Sequence, residues 1–307
     1  MNWLLIAVLA QVVLGTSAVF DKLLLKRKFF DPLVYTFWLG LLGVFALVIL
    51  PFGLAQPGNF FLVGFTILPL NTIITAVIAG ALFVLAMLFL FYALDYSDAS
   101  SALPVIGGFS PIFTLFFSYL FLGSSLGFGE LPAFLFLVLG GIVLFFVEKK
   151  ELRFLFFLFV VASALFLGLS NVLSKIVFQT APFVAGFAWI KLGGALFVFL
   201  FLLRKNLRKR IFSSSRQTKV KHHFLYFANR LYAGVGSVLV YFAVWLAHPA
   251  MVDATQSLKY IVIFFCAWFL LEERSSGKIL AGKIIATCFI IFGILWIGLA
   301  SYFYGLG

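Results

Sequence analysis

Three basic residues lie within long runs of apolar residues: Lys191, Arg230 and Lys259. A cationic side chain costs about 2.5–3.5 kcal/mol at the centre of a bilayer, so each should face a cavity, an ion-pair partner or the lipid headgroups. The alternative interpretations are a lysine paired with a carboxylate for Lys191 and an arginine that reaches the headgroups for Arg230. If the three share a cavity, they would attract a solute that carries phosphate or carboxylate.

The acidic residues of the chain all avoid the middle third of the apolar runs. They are Asp21, Asp31, Asp95, Asp98, Glu130, Glu148, Glu151, Asp253, Glu272 and Glu273. A proton-coupled exporter of cations needs a buried carboxylate that binds either the cation or the proton, so that mechanism is disfavoured. We therefore expect an electropositive cavity whose basic groups lack counter-ions within the membrane. Exchange of one anion for another would suit such a cavity.

Three amides within or beside the apolar runs are further candidates for binding the solute: Gln11, Asn171 and Gln256. Their side chains could donate to and accept from a polar ligand. Buried amides in membrane proteins also often do no more than join two helices by hydrogen bonds, and that alternative stays open for each of them.

Proline and glycine cluster in the fourth apolar run, where Pro104, Gly107, Gly108 and Pro111 fall within eight residues. Proline removes a backbone donor and glycine loosens packing, so the helix should be kinked or partly unwound. Interrupted helices mark binding sites in transporters, which makes this run a candidate gate. The alternative is close packing of helices through small residues. The two halves of the chain can be aligned in two registers. A spacing of 155 residues aligns Lys259 with Pro104, and a spacing of 148 residues aligns it with Pro111.

The composition identifies the solvent of these residues as lipid. The 307-residue chain is 64% hydrophobic and 10% charged, whereas soluble domains are roughly 45–50% apolar and about 25% charged. This composition excludes a disordered chain, a disulfide scaffold and a nucleic-acid-binding domain. The net charge of +12 does not favour nucleic-acid binding, because the basic residues are concentrated in a few short connections. We read Cys266 and Cys288, both in apolar runs, as packing residues.

Ten apolar runs approach the roughly 20 residues that a membrane-spanning helix needs. The predicted spans are 3–25, 33–54, 72–94, 99–122, 131–147, 154–174, 182–203, 226–247, 254–271 and 277–300. The short apolar stretch Phe60–Leu70 is predicted to be an interfacial segment, with a re-entrant piece as the alternative. The sequence thus predicts an all-α integral membrane protein, and the N-terminal run is a retained helix rather than a cleaved signal.

An internal repeat divides the ten spans into two sets of five. The sequence from Leu14 to Lys22 recurs from Leu167 to Lys175, with five of nine residues identical at a spacing of 153. Later, the segment that begins at Asp98 resembles the one that begins at Asp253. Because five is odd, the two copies would cross the membrane in opposite directions, as inverted repeats do. We therefore predict one five-helix repeat over residues 1–150 and a second over 151–307.

Short motifs near the ends of the helices resemble those of the drug/metabolite transporter superfamily, specifically its EamA-like family. They are Tyr92-Ala93-Leu94, Pro111 with Leu122-Gly123, Gly140-Gly141-Ile142, Phe242-Ala243-Val244, Phe269-Leu270-Leu271-Glu272 and Phe292-Gly293-Ile294. The family pattern has an acid after Leu122-Gly123, where this chain has Ser124. The resemblance covers essentially the whole chain. It implies a solute transporter with a cavity between two halves and peripheral fifth and tenth helices.

Basic residues predict which ends of the helices face the cytoplasm. The connections between predicted spans 1–2, 5–6, 7–8 and 9–10, together with Lys22 and Lys278 at the adjoining span ends, hold 17 of the 22 lysines and arginines. Positive charge favours the cytoplasmic side, so both termini should lie outside, whereas the family resemblance implies that they lie inside. The connection 204–223 is read as a cytoplasmic loop and hinge, with contact to anionic lipids as the alternative.

We predict a secondary active transporter that moves a small anionic metabolite by alternating access, with Lys259, Lys191 and Arg230 as the anion site. The alternatives are a flippase for a phosphate-bearing lipid or lipid-linked sugar, and an exporter of amino acids or related neutral metabolites. An enzyme is disfavoured, because no paired carboxylates and no nucleophile–base spacing occur, and the three histidines are His222, His223 and His248. No metal or cofactor is predicted. The expected partners are the solute and the bilayer of a prokaryotic inner membrane, with a homodimer left open.

Overall fold

The computed structural model describes residues 2–26, 31–52, 68–96, 99–147, 154–217, 220–270 and 277–304. Within these ranges every regular element is a helix, and no strand occurs. The α-helices are α1 (Asn2–Lys26), α2 (Pro32–Leu42), α3 (Leu70–Tyr96), α4 (Ala99–Leu122), α5 (Glu130–Val147), α6 (Phe154–Thr180), α7 (Phe183–Leu203), α8 (Lys205–Gln217), α9 (Val220–Leu246), α10 (Pro249–Ala254), α11 (Leu258–Leu270) and α12 (Lys278–Tyr304). Two 3-10 segments, Gly43–Phe52 and Thr255–Ser257, follow α2 and α10.

Six of the described helices are long and apolar enough to cross a membrane. These are the segments Trp3–Asp21, Leu70–Asp95, Phe154–Thr180, Phe183–Leu203, His222–Leu246 and Leu280–Leu299. Shorter apolar helices cover Pro32–Val48, Ile106–Leu122 and Glu130–Val143. The prediction of an all-helical, multi-pass membrane protein is confirmed at this level. Most of the predicted interfacial segment Phe60–Leu70 lies outside the described residues.

The second predicted span changes its helical geometry halfway along. Asp31 begins α2, because its side chain accepts a hydrogen bond from the Leu33 amide at 2.9 Å and Pro32 occupies the first helical turn. From Gly43 the chain continues as a 3-10 helix. This tighter geometry is uncommon over ten residues and often marks a functional segment.

The fourth span is not unwound, because α4 is one continuous α-helix from Ala99 to Leu122, whereas the alternative of a kink stays a prediction. Its small residues serve close packing instead: a Cβ on Gly107 would overlap the Tyr260 side chain of α11. A Cβ on Gly108 would lie 3.3 Å from Ile142 of α5. The interruption falls in the ninth span, where Thr255–Ser257 separates α10 from α11.

The basic connection 204–223 is not the loop that we predicted. It contains α8, whose Ile211 is fully buried and whose Lys205, Arg208 and Lys209 are exposed. Arg210 of α8 forms an ion pair with Asp31, the residue that caps α2. The helix therefore packs its apolar side on the ends of α2 and α7 and turns its basic side outward.

α5 and α12 form the periphery that the family resemblance implied. The two helices pack on each other, and a Cβ on Gly293 of α12 would lie 2.8 Å from Leu137 of α5. None of the residues described in these two helices lines the central cavity. The core that surrounds the cavity is instead built where α3 packs on α6 and α7, α1 packs on α9, and α4 packs on α6.

Candidate functional site

A cavity of about 430 Å³ lies between the helices of the two halves. Its walls come from α1, α2, the Gly43–Phe52 segment, α3, α4, α6, α7, α9 and the α10–α11 region. Most of the lining is apolar, and the charged lining residues are Asp21, Lys191, Arg230, Asp253 and Lys259. A small-molecule site usually has a few polar groups in a mainly apolar pocket.

Asp21 of α1 and Arg230 of α9 form an ion pair on the cavity wall. Asp21 also accepts hydrogen bonds from the Tyr35 hydroxyl and from Asn229 Nδ2, the latter at 2.6 Å. The Arg230 guanidinium contacts the ring of Tyr226, whose hydroxyl donates to the Tyr35 carbonyl at 2.9 Å. This network joins α1, α2 and α9 and satisfies the charge of the arginine within the protein.

Asp253 of α10 is the second buried carboxylate of the cavity, with 2% of its surface exposed. Ser110 donates to it at 2.7 Å, and Thr114 donates to the same oxygen, so α4 holds α10 through two hydroxyls. Gln256 bridges this carboxylate to Lys259: its amide nitrogen donates to Asp253, and its oxygen accepts from Lys259 Nζ at 3.1 Å.

Lys191 of α7 lies in a cage of aromatic rings. Its Nζ is 4.6 Å from the ring centre of Phe83, 5.3 Å from that of Phe187 and 4.8 Å from that of Tyr241. Its one hydrogen-bond partner among the described residues is the Ser237 hydroxyl, at 2.7 Å. No carboxylate of the described chain pairs with this lysine. Aromatic faces attract a cation but do not neutralise its charge.

Lys175 of α6 holds the end of α9 in place. Its Nζ donates to the carbonyls of Val244, Trp245 and Ala247 at 3.0, 2.9 and 3.0 Å. A cation at the carbonyl end of a helix satisfies otherwise unpaired acceptors and interacts favourably with the negative end of the helix dipole. Lys175 therefore helps to fix the helix that carries Arg230 and Ser237 along the cavity.

The structure brings five of the six predicted binding residues together. Lys191, Arg230, Lys259, Asn171 and Gln256 all line the cavity. Gln11 is buried elsewhere, where its Nε2 donates to Thr255 Oγ1 at 3.2 Å, so it joins α1 to the 3-10 turn.

Three residues of the predicted gate, Gly107, Gly108 and Pro111, do not line the cavity, to which α4 contributes Leu103 and Ile106. The side chain of Pro104 lies outside the described residues. The glycines of this run pack against neighbouring helices, as the alternative interpretation held.

The expectation that the basic groups lack counter-ions is wrong for two of the three. Arg230 is paired with Asp21, and Lys259 reaches Asp253 through Gln256. The positions of Asp21 and Asp253 near the ends of apolar runs argue against a place in the site, but the cavity extends far enough to include both. Among the described residues, the lining has three cationic and two anionic side chains and so keeps one formal positive charge.

The sequence contained a signal for both missed carboxylates. Asp21 lies in the repeated segment Leu14–Lys22, and Asp253 begins the second repeated segment. The copies of the first segment also supply Ser17 and Asn171 to the cavity wall. The repeated segments therefore indicate residues of the cavity wall, whereas the position of a residue within an apolar run does not.

The helix interface between α3 and α7 is closed, and the sequence counterparts of its glycines lie on the cavity. Gly80 of α3 packs against α7, where a Cβ would overlap the Ile190 carbonyl, and a Cβ on Gly194 would lie 3.2 Å from the Gly80 carbonyl. Ala79-Gly80 recurs 154 residues later as Ala233-Gly234. Trp189 and Gly194 correspond to Trp38 and Gly43 at a spacing of 151.

The counterparts Gly43 and Gly234 both line the cavity. A Cβ on Gly234 would have no neighbour within 4 Å. Gly43 itself packs on α7, where a Cβ would lie 2.7 Å from the Lys191 carbonyl oxygen, so of the two counterparts only Gly234 faces open space.

The described residues hold no group of three or more histidines, cysteines or acids that could bind a metal ion.

Comparisons with known proteins agree with this architecture. The model of the EamA-like transporter family matches residues 1–147, which confirms the family resemblance over the first half of the chain. A solved structure described only as "Crystal structure of protein" aligns with a TM-score of 0.68 and 16% identity over 97% of each chain. That similarity shows a shared fold over nearly the whole length. No curated protein matches the chain.

Proposed function

We propose that this chain, EamA-like over its first half, is a secondary transporter that binds the negative charge of a small metabolite at Lys191. The family match supports a membrane transporter of small molecules. The single observation that carries the anionic assignment is a partly buried lysine on the cavity wall without a carboxylate partner among the described residues. A buried charge without a counter-ion is costly, so a ligand that supplies the counter-ion gains affinity.

The paired cations play a secondary part. Arg230 keeps Nε without a hydrogen-bond partner among the described residues, although its Nη2 donates to both Asp21 and Ser17. Arg230 and Ser237 are seven residues apart on α9, which places them on one face at a spacing of about 10 Å. A ligand held by Lys191 beside Ser237 can therefore extend a second polar group toward Arg230.

The rest of the lining favours a ligand with an apolar part. Phe83, Val84, Met87 and Leu90 form the α3 wall of the cavity. Since the lining keeps a single formal positive charge, one negative group neutralises it. We infer that the solute carries a single anionic group, such as a carboxylate or one phosphate, on an apolar body.

Alternating access follows from the glycine interfaces if the two halves are inverted repeats. In the conformation described, Gly80 and Gly194 are in contact, whereas Gly43 and Gly234 lie on the cavity wall. The opposite conformation would exchange these roles: Gly234 would pack near Gly43, and the contact between α3 and α7 would open. Lys191 lies on α7 between both interfaces and would be reached from each side in turn.

The anion site can be tested by ligand-induced thermal stabilisation of the purified protein. We expect monocarboxylates and monoanionic phosphates with an apolar part to raise the unfolding temperature, because a ligand stabilises the state that it binds. Lys191→Gln should weaken this response about ten- to hundredfold in ligand concentration, since a hydrogen bond to a charged group contributes about 1.5–3 kcal/mol.

Lys283→Gln provides the matched control, because Lys283 is also a lysine within an apolar helix but does not line the cavity. This control should respond as the unmodified protein does. Stabilisation by neutral or cationic solutes alone, or an unchanged anion response in Lys191→Gln, would overturn the assignment. A response to zwitterionic amino acids that needs Lys191 would instead identify the solute as one whose carboxylate binds there.

A further inference from the structure

Part of the cavity wall is also part of the outer surface of the molecule. Phe45, Leu231 and Val235 line the cavity, yet 61%, 65% and 57% of their surfaces are exposed. Phe45 belongs to the Gly43–Phe52 segment, and the other two belong to α9. The cavity therefore has an apolar rim between these two elements.

This rim lies near the middle of α9 and of the continuous stretch Pro32–Phe52. α9 runs from Val220 to Leu246, so Leu231 and Val235 are its twelfth and sixteenth residues of 27. Phe45 is likewise the fourteenth residue of the 21 that begin at Pro32 and end at Phe52. At about 1.5 Å per residue, the middle of a spanning helix is roughly 15–20 Å from either end. An opening at that depth faces hydrocarbon rather than water.

The gap at the rim is not filled by a side chain of α9. Gly234 lies between Leu231 and Val235 on the cavity wall, and a Cβ there would meet no atom within 4 Å. Ser237, which holds Lys191 Nζ at 2.7 Å, is three residues further along the same helix. The cationic group therefore lies about one helical turn from the opening.

We propose that this rim is a lateral portal through which an anionic amphiphile with a single apolar chain enters the cavity from the bilayer. Its charged end binds beside Lys191, and its chain occupies the apolar wall or extends through the portal into lipid. The inference rests on the proposed anion site at Lys191 and adds the class of ligand and its route. A cavity of about 430 Å³ lies within the range of about 300–1,000 Å³ that holds a drug-sized ligand, so the headgroup and part of one chain fit.

The test compares dodecyl phosphate with ethyl phosphate on the full-length protein in phosphatidylcholine nanodiscs, with the unfolding temperature as the readout. Gly234→Phe places a large ring in the portal, where the structure has room for it. Gly298→Phe is the matched control, because Gly298 of α12 also has open space around it and does not line the cavity. Gly234→Ala leaves the portal open and checks that the position tolerates a side chain.

Dodecyl phosphate should stabilise the unmodified protein, Gly298→Phe and Gly234→Ala at similar concentrations. Gly234→Phe should need at least tenfold more dodecyl phosphate, while its smaller response to ethyl phosphate changes less. Partition into the nanodisc lipid is the same for all variants and cancels in this comparison. All variants should keep the size-exclusion profile of the unmodified protein.

Two other results have distinct meanings. If Gly234→Phe responds to dodecyl phosphate as the control does, while Lys191→Gln does not respond, the portal is wrong and the anion site stands. If the response to both phosphates is independent of Lys191, the proposed anion site fails, and the portal inference fails with it.

Discussion

At the scale of residues, the three cations of the cavity differ in whether a carboxylate neutralises them. Lys191, Arg230 and Lys259 are recognisable because each interrupts an apolar run. Their partners lie far away along the chain: Asp21 is 209 residues from Arg230, and α4 supplies the hydroxyls that bind Asp253. Pairing depends on how the helices are packed, so the sequence predicts no counter-ion within the membrane for any of the three, whereas the structure leaves only Lys191 of these without a carboxylate partner among the described residues.

The ion pair between Asp21 and Arg230 leads to a prediction about stability. Arg230→Gln should lower the unfolding temperature strongly, because removing one partner of a buried pair typically costs about 3–5 kcal/mol. The double variant Asp21→Asn and Arg230→Gln should recover much of this loss, since no uncompensated charge is left. Thermal unfolding of both single variants and the double variant measures the coupling. Additive losses in the double variant would show that the two side chains do not act as a pair.

At the scale of elements, helix positions follow from the apolar runs, whereas breaks and surface helices do not. α4 stays continuous despite two prolines, because its glycines let α5 and α11 pack closely around it. The basic residues of α8 favour a loop in the sequence, because the two residues that pack on the bundle, Leu207 and Ile211, are separated by charged ones. The 3-10 segment from Gly43 has no signature in apolar periodicity, so only the structure reveals it.

The glycine interfaces give a matched pair of substitutions at this scale. Gly80→Ala should destabilise the protein by about 1–3 kcal/mol, because the added methyl group would overlap the Ile190 carbonyl of α7. Gly234→Ala, at the equivalent position of the second half, should be neutral or slightly stabilising, because it meets open space and alanine favours a helix. Differential scanning measurements of the two variants check this. Equal destabilisation would mean that Gly234 is packed in the predominant conformation.

At the scale of the whole molecule, composition and repeats predict the kind of protein. The shared fold with a solved structure extends over 97% of the chain, although the family match covers residues 1–147. The ten-span inverted arrangement, the orientation of the termini and the cellular membrane stay predictions. The depth of the cavity and its lateral rim could not be predicted, because both depend on the distance between helices rather than on the residues of any one helix.

The most direct test of the central claim is solute counterflow with proteoliposomes. Vesicles are loaded with an excess of the anion that best stabilises the purified protein, and a radiolabelled trace of the same anion is added outside. A transporter that carries the anion through Lys191 predicts transient accumulation of label in vesicles with the unmodified protein and with Lys283→Gln, and at least a tenfold slower uptake with Lys191→Gln. Equal accumulation with Lys191→Gln, or no accumulation with the unmodified protein, would contradict the account.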